Sequence, residues 1–132
     1  MTSAPSNGRR LLQEYVGNAR LMSLSAVDGD GAPVLLPLPF HAAFAPDRLM
    51  FIAHRDRPLV AGLATRPKVA GSIIAAPGRG VTFAGLSSPA ESPDPVRLAP
   101  GERLYRIDVT EWLLFDEHAY EYRVHPVRSI HA

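Results

Sequence analysis

The sequence predicts a mostly β (α+β) protein, a small antiparallel barrel with a few short helices. Three observations carry that expectation. Apolar residues recur in short strand-like runs, tight-turn sequences join most of those runs, and only two stretches have helical spacing. At 132 residues the chain is long enough for one domain with its own core. Residues 1–8 are expected to form a disordered leader and residues 9–132 a single domain.

The elements follow in chain order. "RRLLQEYVGNA" (9–19) sets Leu11, Leu12, Tyr15 and Val16 at helical spacing, and Gly17-Asn18 is a stop signal. "RLMSLSAV", "DGDG" and "APVLLPLPF" then read as a β-hairpin, because Asp-Gly pairs suit the φ > 0 turns that close two strands. The second of these strands is apolar on both faces, which requires burial on both or a ligand against one. Pro37 and Pro39 donate no ladder hydrogen bonds and mark an edge or a bulge. "RLMFIAH" (48–54) is a third strand, introduced by the turn "APD". Asp56 then stands at the N-cap of a short helix, Pro58 in its first turn, and Arg66-Pro67 ends it. "KVAGSIIAA" (68–76) and "GVTFAGLSS" (80–88) are two more strands, with Gly78 and Gly80 forming the hairpin turn between them. A Pro-rich loop, "PAESPDPVRLAPGE", precedes "RLYRIDVTEWLLFDE", a long bulged strand or two short ones, since its alternation shifts near Thr110. "YEYRVHPV" adds a final strand.

Composition narrows the function. Hydrophobic residues make up 46% and charged residues 20%, the balance of a soluble globular domain. A net charge of +1 provides no broad field for nucleic acid or an acidic membrane surface. The basic residues are thirteen Arg and one Lys, a bias that lowers the weight of any single Arg. The absence of cysteine removes thiolate nucleophiles, disulfides and cysteine metal sites. No apolar run approaches the roughly 20 residues of a membrane span, and the polar N-terminus has no apolar signal core, so a cytoplasmic protein is expected.

Individual motifs are mostly structural. "GRGVTFAG" runs into a β-rich segment rather than lying between a strand and a helix, so it is no dinucleotide fingerprint. The five histidines do not fall at the spacing of a helical metal pair, and no metal is expected. No "GxSxG" elbow occurs. Glu111, Asp116, Glu117 and Glu121 read as a solvated strand edge, and Trp112 as a packing anchor in the core or at a dimer interface.

Together, "LMSLSAVDGDGAPVLLPLPF", "DRLMFIAHRDRPLVAGLATRPKVAGSII" and "GVTFAGLSS" resemble the pyridoxamine 5'-phosphate oxidase-like, FMN-binding split-barrel family. The resemblance covers about residues 9–88, with a looser echo in "LYRIDVTEWLLFD". It implies a split β-barrel homodimer with two equivalent sites at the interface; the weak net charge leads us to expect no nucleic-acid or membrane partner. FMN would lie against the second and third strands and carry hydride to or from a small-molecule substrate, making the protein an FMN-dependent oxidoreductase. On this chain the resemblance puts the ring along Leu36, Leu38 and Phe40, with Phe51 and His54 nearby, and the phosphate at Arg55 and Arg57. His54 and His41 are the nearest candidates for proton transfer. The chain departs from the family pattern. Ala32 and Pro37 replace the basic residues of the second strand, Arg57-Pro58-Leu59 replaces a Ser-Arg-Lys cluster, and Ile52-Ala53 replaces a polar pair.

Two readings of "HRDRPLVAGLATRPKV" (54–69) therefore stand: Arg55 and Arg57 hold a phosphate, or they neutralise Asp56. Arg66 is read as surface chemistry. The alternatives to FMN are a barrel that uses its apolar pocket for another ligand or for non-redox catalysis, and one that binds a deazaflavin or haem.

Overall fold

The computed structural model describes residues 2–3, 7–91, 97–117 and 121–128. The chain runs β1 (Thr2–Ser3), α1 (Gly8–Gly17), β2 (Leu21–Val27), β3 (Pro33–Pro39), β4 (His41–Ala43) and β5 (Arg48–His54). It continues through α2 (Pro58–Leu63), β6 (Lys68–Ala76), β7 (Arg79–Pro89), β8 (Glu102–Phe115) and β9 (Glu121–Val124). All strands join one sheet, ordered β1-β9-β8-β7-β6-β2-β3, with β5 also on β8 and β4 on β5. Every strand pairing is antiparallel except β1 with β9. β8 organises the curl. It pairs with β7 through most of its length, and also with β5 over its first half and with β9 over its last four residues. The sheet curls into a half-barrel that stays open between β3 and β5, because among the described residues β3 bonds only β2. This is the split barrel that the family resemblance implied.

The core fills the curl. Leu24, Leu49, Ile73, Val81, Ile107 and Trp112 are fully buried in it. Helix α1 covers one end with Leu12 and Val16, four residues apart and therefore on one face. The N–H of Asn18 donates to the carbonyl of Glu14 (3.1 Å), where the Gly-Asn stop was expected. Of the expected leader, Thr2–Ser3 pair with β9 and Gly8 already opens α1; residues 1 and 4–6 lie outside the described residues.

Local chemistry explains most of the remaining elements. Asp28 Oδ1 accepts from the N–H groups of Asp30 and Ala32 (2.9 Å each), closing the β2–β3 turn. β8 is one continuous strand with a bulge: Ala84 faces Glu111 and Gly85 faces Val109, leaving Thr110 without a partner in β7. Buried positions pass from Ile107 and Val109 to Trp112 and Leu114 across it, the shift visible in the sequence. The last strand covers Glu121–Val124; Tyr120, and residues 92–96 of the Pro-rich loop, lie outside the described residues.

Three expectations need correction. Only Gly78 (φ 77°) turns the β6–β7 hairpin; Gly80 is a buried residue of β7. β3 is not buried on both faces, the first of the two alternatives that its apolarity left open: Leu35 is 69% exposed, because β3 is an edge strand at the split. The N-cap of α2 is Arg57 rather than Asp56, for a reason given below.

A buried carboxylate ties the ends of the chain to the barrel. Asp47, in the turn before β5, accepts from Arg9 Nη1 (2.8 Å) and from Trp112 Nε1 (2.8 Å). It also accepts from the N–H groups of Ala45 and Val127 (3.2 Å each) and from Arg9 Nη2. Burial pushes this carboxyl up, but hydrogen bonds from Arg9, Trp112, Ala45 and Val127 outweigh it and hold it below the ordinary carboxylate range. Trp112 is thus a core anchor, flanked by Phe83 at 6.2 Å and Phe44 at 6.5 Å between ring centroids.

Candidate active site at the split of the barrel

The site is built where β5 leaves the sheet. β5 alternates cleanly, with Leu49, Phe51 and Ala53 inward and Met50 and Ile52 on the outer side. At its end the chain turns tightly, the Arg57 N–H donating to the carbonyl of His54 (3.0 Å). Asp56 belongs to this turn. Its own N–H donates to His54 Nδ1 (3.1 Å), and its carboxylate lies 3.4 Å from the same nitrogen. The carboxylate therefore faces the imidazole instead of capping the helix. Arg57 takes the N-cap position, with extended backbone (φ −69°, ψ 134°) and no side-chain cap bond.

Helix α2 is held by close approach to the β2–β3 turn. A Cβ on Gly62 would lie 1.7 Å from the carbonyl oxygen of Val27, so only glycine fits there. Arg66, just past the helix, donates from Nη1 to the carbonyl of Asp28 (2.9 Å). This single exposed bond links the end of α2 to the β2–β3 turn, a partner that the reading of Arg66 as surface chemistry did not name. Leu59 and Leu63 are buried beneath the helix.

Between the lips of the split lies a cleft of about 480 Å³. β3 contributes Pro37, Leu38 and Pro39; β5 contributes Met50, Phe51 and Ile52. Leu104 and Glu102 of β8, His41 of β4 and Arg57 complete it. The walls are largely apolar. Glu102 Oε1 accepts from the Ala99 N–H (2.6 Å), which ties that carboxylate to its own turn. Arg57 is exposed and makes no side-chain hydrogen bond or ion pair among the described residues.

Of the residues expected at the site, the structure brings Leu38, Phe51 and Arg57 together, with His41 at the same cleft. Leu36 and Phe40 pack against the hydrophobic core instead. His54 lies outside the cleft, held between the Asp56 turn and Gly101, where a Cβ would come 2.3 Å from Nε2. The Arg55 N–H donates to the carbonyl of Gly101 (2.9 Å), and its side chain does not line the cleft. No Arg55 or Arg57 ion pair to Asp56 occurs among the described residues; the Asp56 partner is His54. Met50, Ile52, Glu102 and Leu104 were not singled out from sequence. Strand alternation in 48–54 puts the first two on the outer face, but the β5–β8 pairing that adds the others spans distant segments.

The acidic edge is equally structural. Glu117 pairs with Arg79 (3.0 Å) and Glu111 with Arg123 (3.3 Å) at exposed positions. Among the described residues, no helix is long and apolar enough to cross a membrane.

No family model matches the sequence, and no curated protein matches it. Solved structures do match, and they define the fold, a split barrel, with pyridoxamine 5'-phosphate oxidase-like FMN-binding proteins among the structural neighbours. A pyridoxamine 5'-phosphate oxidase-related, FMN-binding protein of Nostoc punctiforme superposes with a TM-score of 0.66 at 13% identity, over 96% of this chain and 100% of that one. General stress protein 26 of Bacillus anthracis gives 0.70 at 16% identity, over 89% and 99%. A haem-binding protein of Mycobacterium smegmatis gives 0.76 at 12% identity, over 94% of this chain but 60% of that longer one. At these identities the likeness is one of fold. Its neighbours include proteins that bind FMN and others that bind haem.

Proposed function

We propose that this protein binds FMN in the cleft between β3 and β5 and acts as an FMN-dependent oxidoreductase on a small molecule, as a cytoplasmic homodimer. One observation carries the reading: an apolar cleft at the split has a guanidinium at its edge with no partner among the described residues. The fit is physical. A cleft of about 480 Å³ is within the range of small-molecule sites. A flat ring needs apolar walls, which Pro37, Pro39, Met50 and Ile52 supply over the buried Leu38, Phe51 and Leu104. A phosphate needs a fixed cation, and Arg57 presents a planar fork for it. Bound flavin supplies hydride transfer, and the chain supplies orientation and exclusion of water.

The homodimer rests on a second feature. On the outer faces of β3, β2 and β6, Leu35, Leu21 and Ile74 are 69%, 55% and 56% exposed. The register puts Leu21 opposite Pro39 and Leu35 opposite Ser25, so this apolar surface is continuous with the lip of the cleft. A second copy covering it would also wall the cleft.

Haem is the second reading. Among the described residues, His41 is the one histidine that lines the cleft, and an imidazole is a common axial ligand. Absorption spectra during separate titrations with FMN and with haem decide between them. FMN uptake that falls roughly tenfold to a hundredfold in Arg57→Ala, equivalent to about 1.5–3 kcal/mol for hydrogen bonds to a charged group, supports the flavin reading. Unchanged affinity ends the phosphate assignment. A Soret band lost in His41→Ala supports haem.

A further inference from the structure

The outer face of β5 and β8 carries more than the cleft. Cross-strand pairs on it run from Ile52–Leu104 through Met50–Arg106 to Arg48–Asp108. Beyond the cleft, this strip opens into a groove of about 260 Å³ near the β8 bulge. Arg48, Arg106 and Arg128 line it, with Asp108, Thr110 and Leu86. Asp108 lies between two of the arginines, 3.1 Å from Arg48 Nε and 3.4 Å from Arg106 Nε. Among the described residues, three guanidiniums line the groove against Asp108, and the other acid of its lining, Asp47, is paired with Arg9. Arg106 Nε is buried and makes no hydrogen bond among the described residues.

The backbone is shaped for this groove. The unpaired residue of the bulge is Thr110, which lines it. Gly85 makes the bulge possible, since a Cβ there would lie 2.6 Å from the carbonyl oxygen of Asp108. Bulges of this kind re-aim side chains and are common beside active sites.

We infer that the groove binds the anionic group of a small molecule, phosphate or carboxylate, through Arg106 and Arg128 with Arg48 held behind them by Asp108. The Met50–Arg106 pair joins it to the cleft: Met50 lines one cavity and Arg106 the other. Directly paired residues lie about 5 Å apart at Cα, so an anion anchored at Arg106 extends its carbon skeleton into the cleft. The substrate class is then an organic phosphate or carboxylate. That last step rests on the flavin reading; the anion site itself does not.

The test uses the full chain without added cofactor, titrated with inorganic phosphate and, separately, with succinate, by calorimetry at low salt. Arg106→Gln and Arg128→Gln are compared with the unaltered protein, and FMN affinity is measured in parallel. Saturable binding of either anion, weakened tenfold or more by both substitutions with FMN affinity unchanged, is the expected result. Tighter phosphate or tighter succinate tells which acid the site prefers. No binding of either anion, or binding indifferent to both substitutions, overturns the site. Equal loss of anion and FMN affinity in Arg106→Gln also overturns it, because groove and cleft would then be one site. Anion binding by a protein that takes up no FMN upholds the groove and ends the flavin reading.

Discussion

Replacing Asp47 by alanine leaves the carboxylate's partners behind in a buried place. Five hydrogen bonds converge on it, from two nitrogens of Arg9, from Trp112 Nε1 and from two backbone N–H groups. Trp112 is fully buried, so its N–H finds no water and costs about 1–3 kcal/mol unpaired. The two backbone N–H groups are partly buried and add about 1 kcal/mol each by the same rule. The Arg9 side chain is 31% exposed and turns to solvent, so its share is small. The expected loss is about 4 kcal/mol, within the range for breaking a buried ion pair. For a chain of this length that lowers Tm by roughly 15 °C.

Urea unfolding read by Trp112 fluorescence and by circular dichroism measures the loss. Coincident curves confirm a single transition. A stability for Asp47→Ala within 1 kcal/mol of the unaltered protein, at unchanged m-value, would refute the reasoning. The acid limb gives a second check. Because the carboxyl is held below its ordinary range in the folded state, the unfolded chain takes up the proton first as pH falls. The carboxylate's contribution is therefore complete above about pH 4 and is lost as pH falls below that through the folded value. In Asp47→Asn this limb flattens.

Other predictions follow from the placement of α2 and the open sheet. Gly62→Ala drives a Cβ into the Val27 carbonyl, so it should cost about 1–3 kcal/mol and weaken FMN binding by displacing Arg57; parallel unfolding and FMN titrations show both or neither. Arg66→Ala removes one exposed bond to the Asp28 carbonyl and should cost under about 1 kcal/mol with FMN affinity retained within about twofold, against the large loss in Arg57→Ala. Leu35→Asp puts a charge on the exposed apolar face and should turn a dimer into a monomer in analytical ultracentrifugation; a dimer that persists puts the interface elsewhere.

Local patterns were legible where alternation or turn chemistry acts over a few residues. β5 and β6 begin and end where periodicity puts them, and the Thr110 bulge was visible as a change of phase. β4 was not legible, because three residues between Phe40 and a turn show no period. Asp47 reads in sequence as an ordinary turn residue. Its partners Arg9, Trp112 and Val127 are 38, 65 and 80 residues away, and only the closed fold brings them together. At the site the same division holds. Leu38, Phe51 and Arg57 belong to neighbouring segments of the chain, whereas Leu104 and Glu102 arrive through strand pairing.

The composition of β3 reveals why a cleft exists at all. Apolarity on both faces suggested burial on both or a ligand against one, and the outer face is open. Pro33, Pro37 and Pro39 are all odd-numbered, so in an extended strand their nitrogens face one edge. The opposite edge is taken up by pairing with β2 from Leu21 to Val27. Proline is tolerated where its nitrogen faces away from a ladder, so the three point to the free edge. That edge then has few N–H groups to offer β5, and the sheet cannot zip shut there. The same lack of donors blunts β3 against pairing with a stray strand. An edge that cannot pair but remains apolar favours contact through side chains, with a ligand in the cleft and another surface beyond it. Pro37 thus helps hold the barrel open, and among the described residues Arg57 is the cation that lines the cleft.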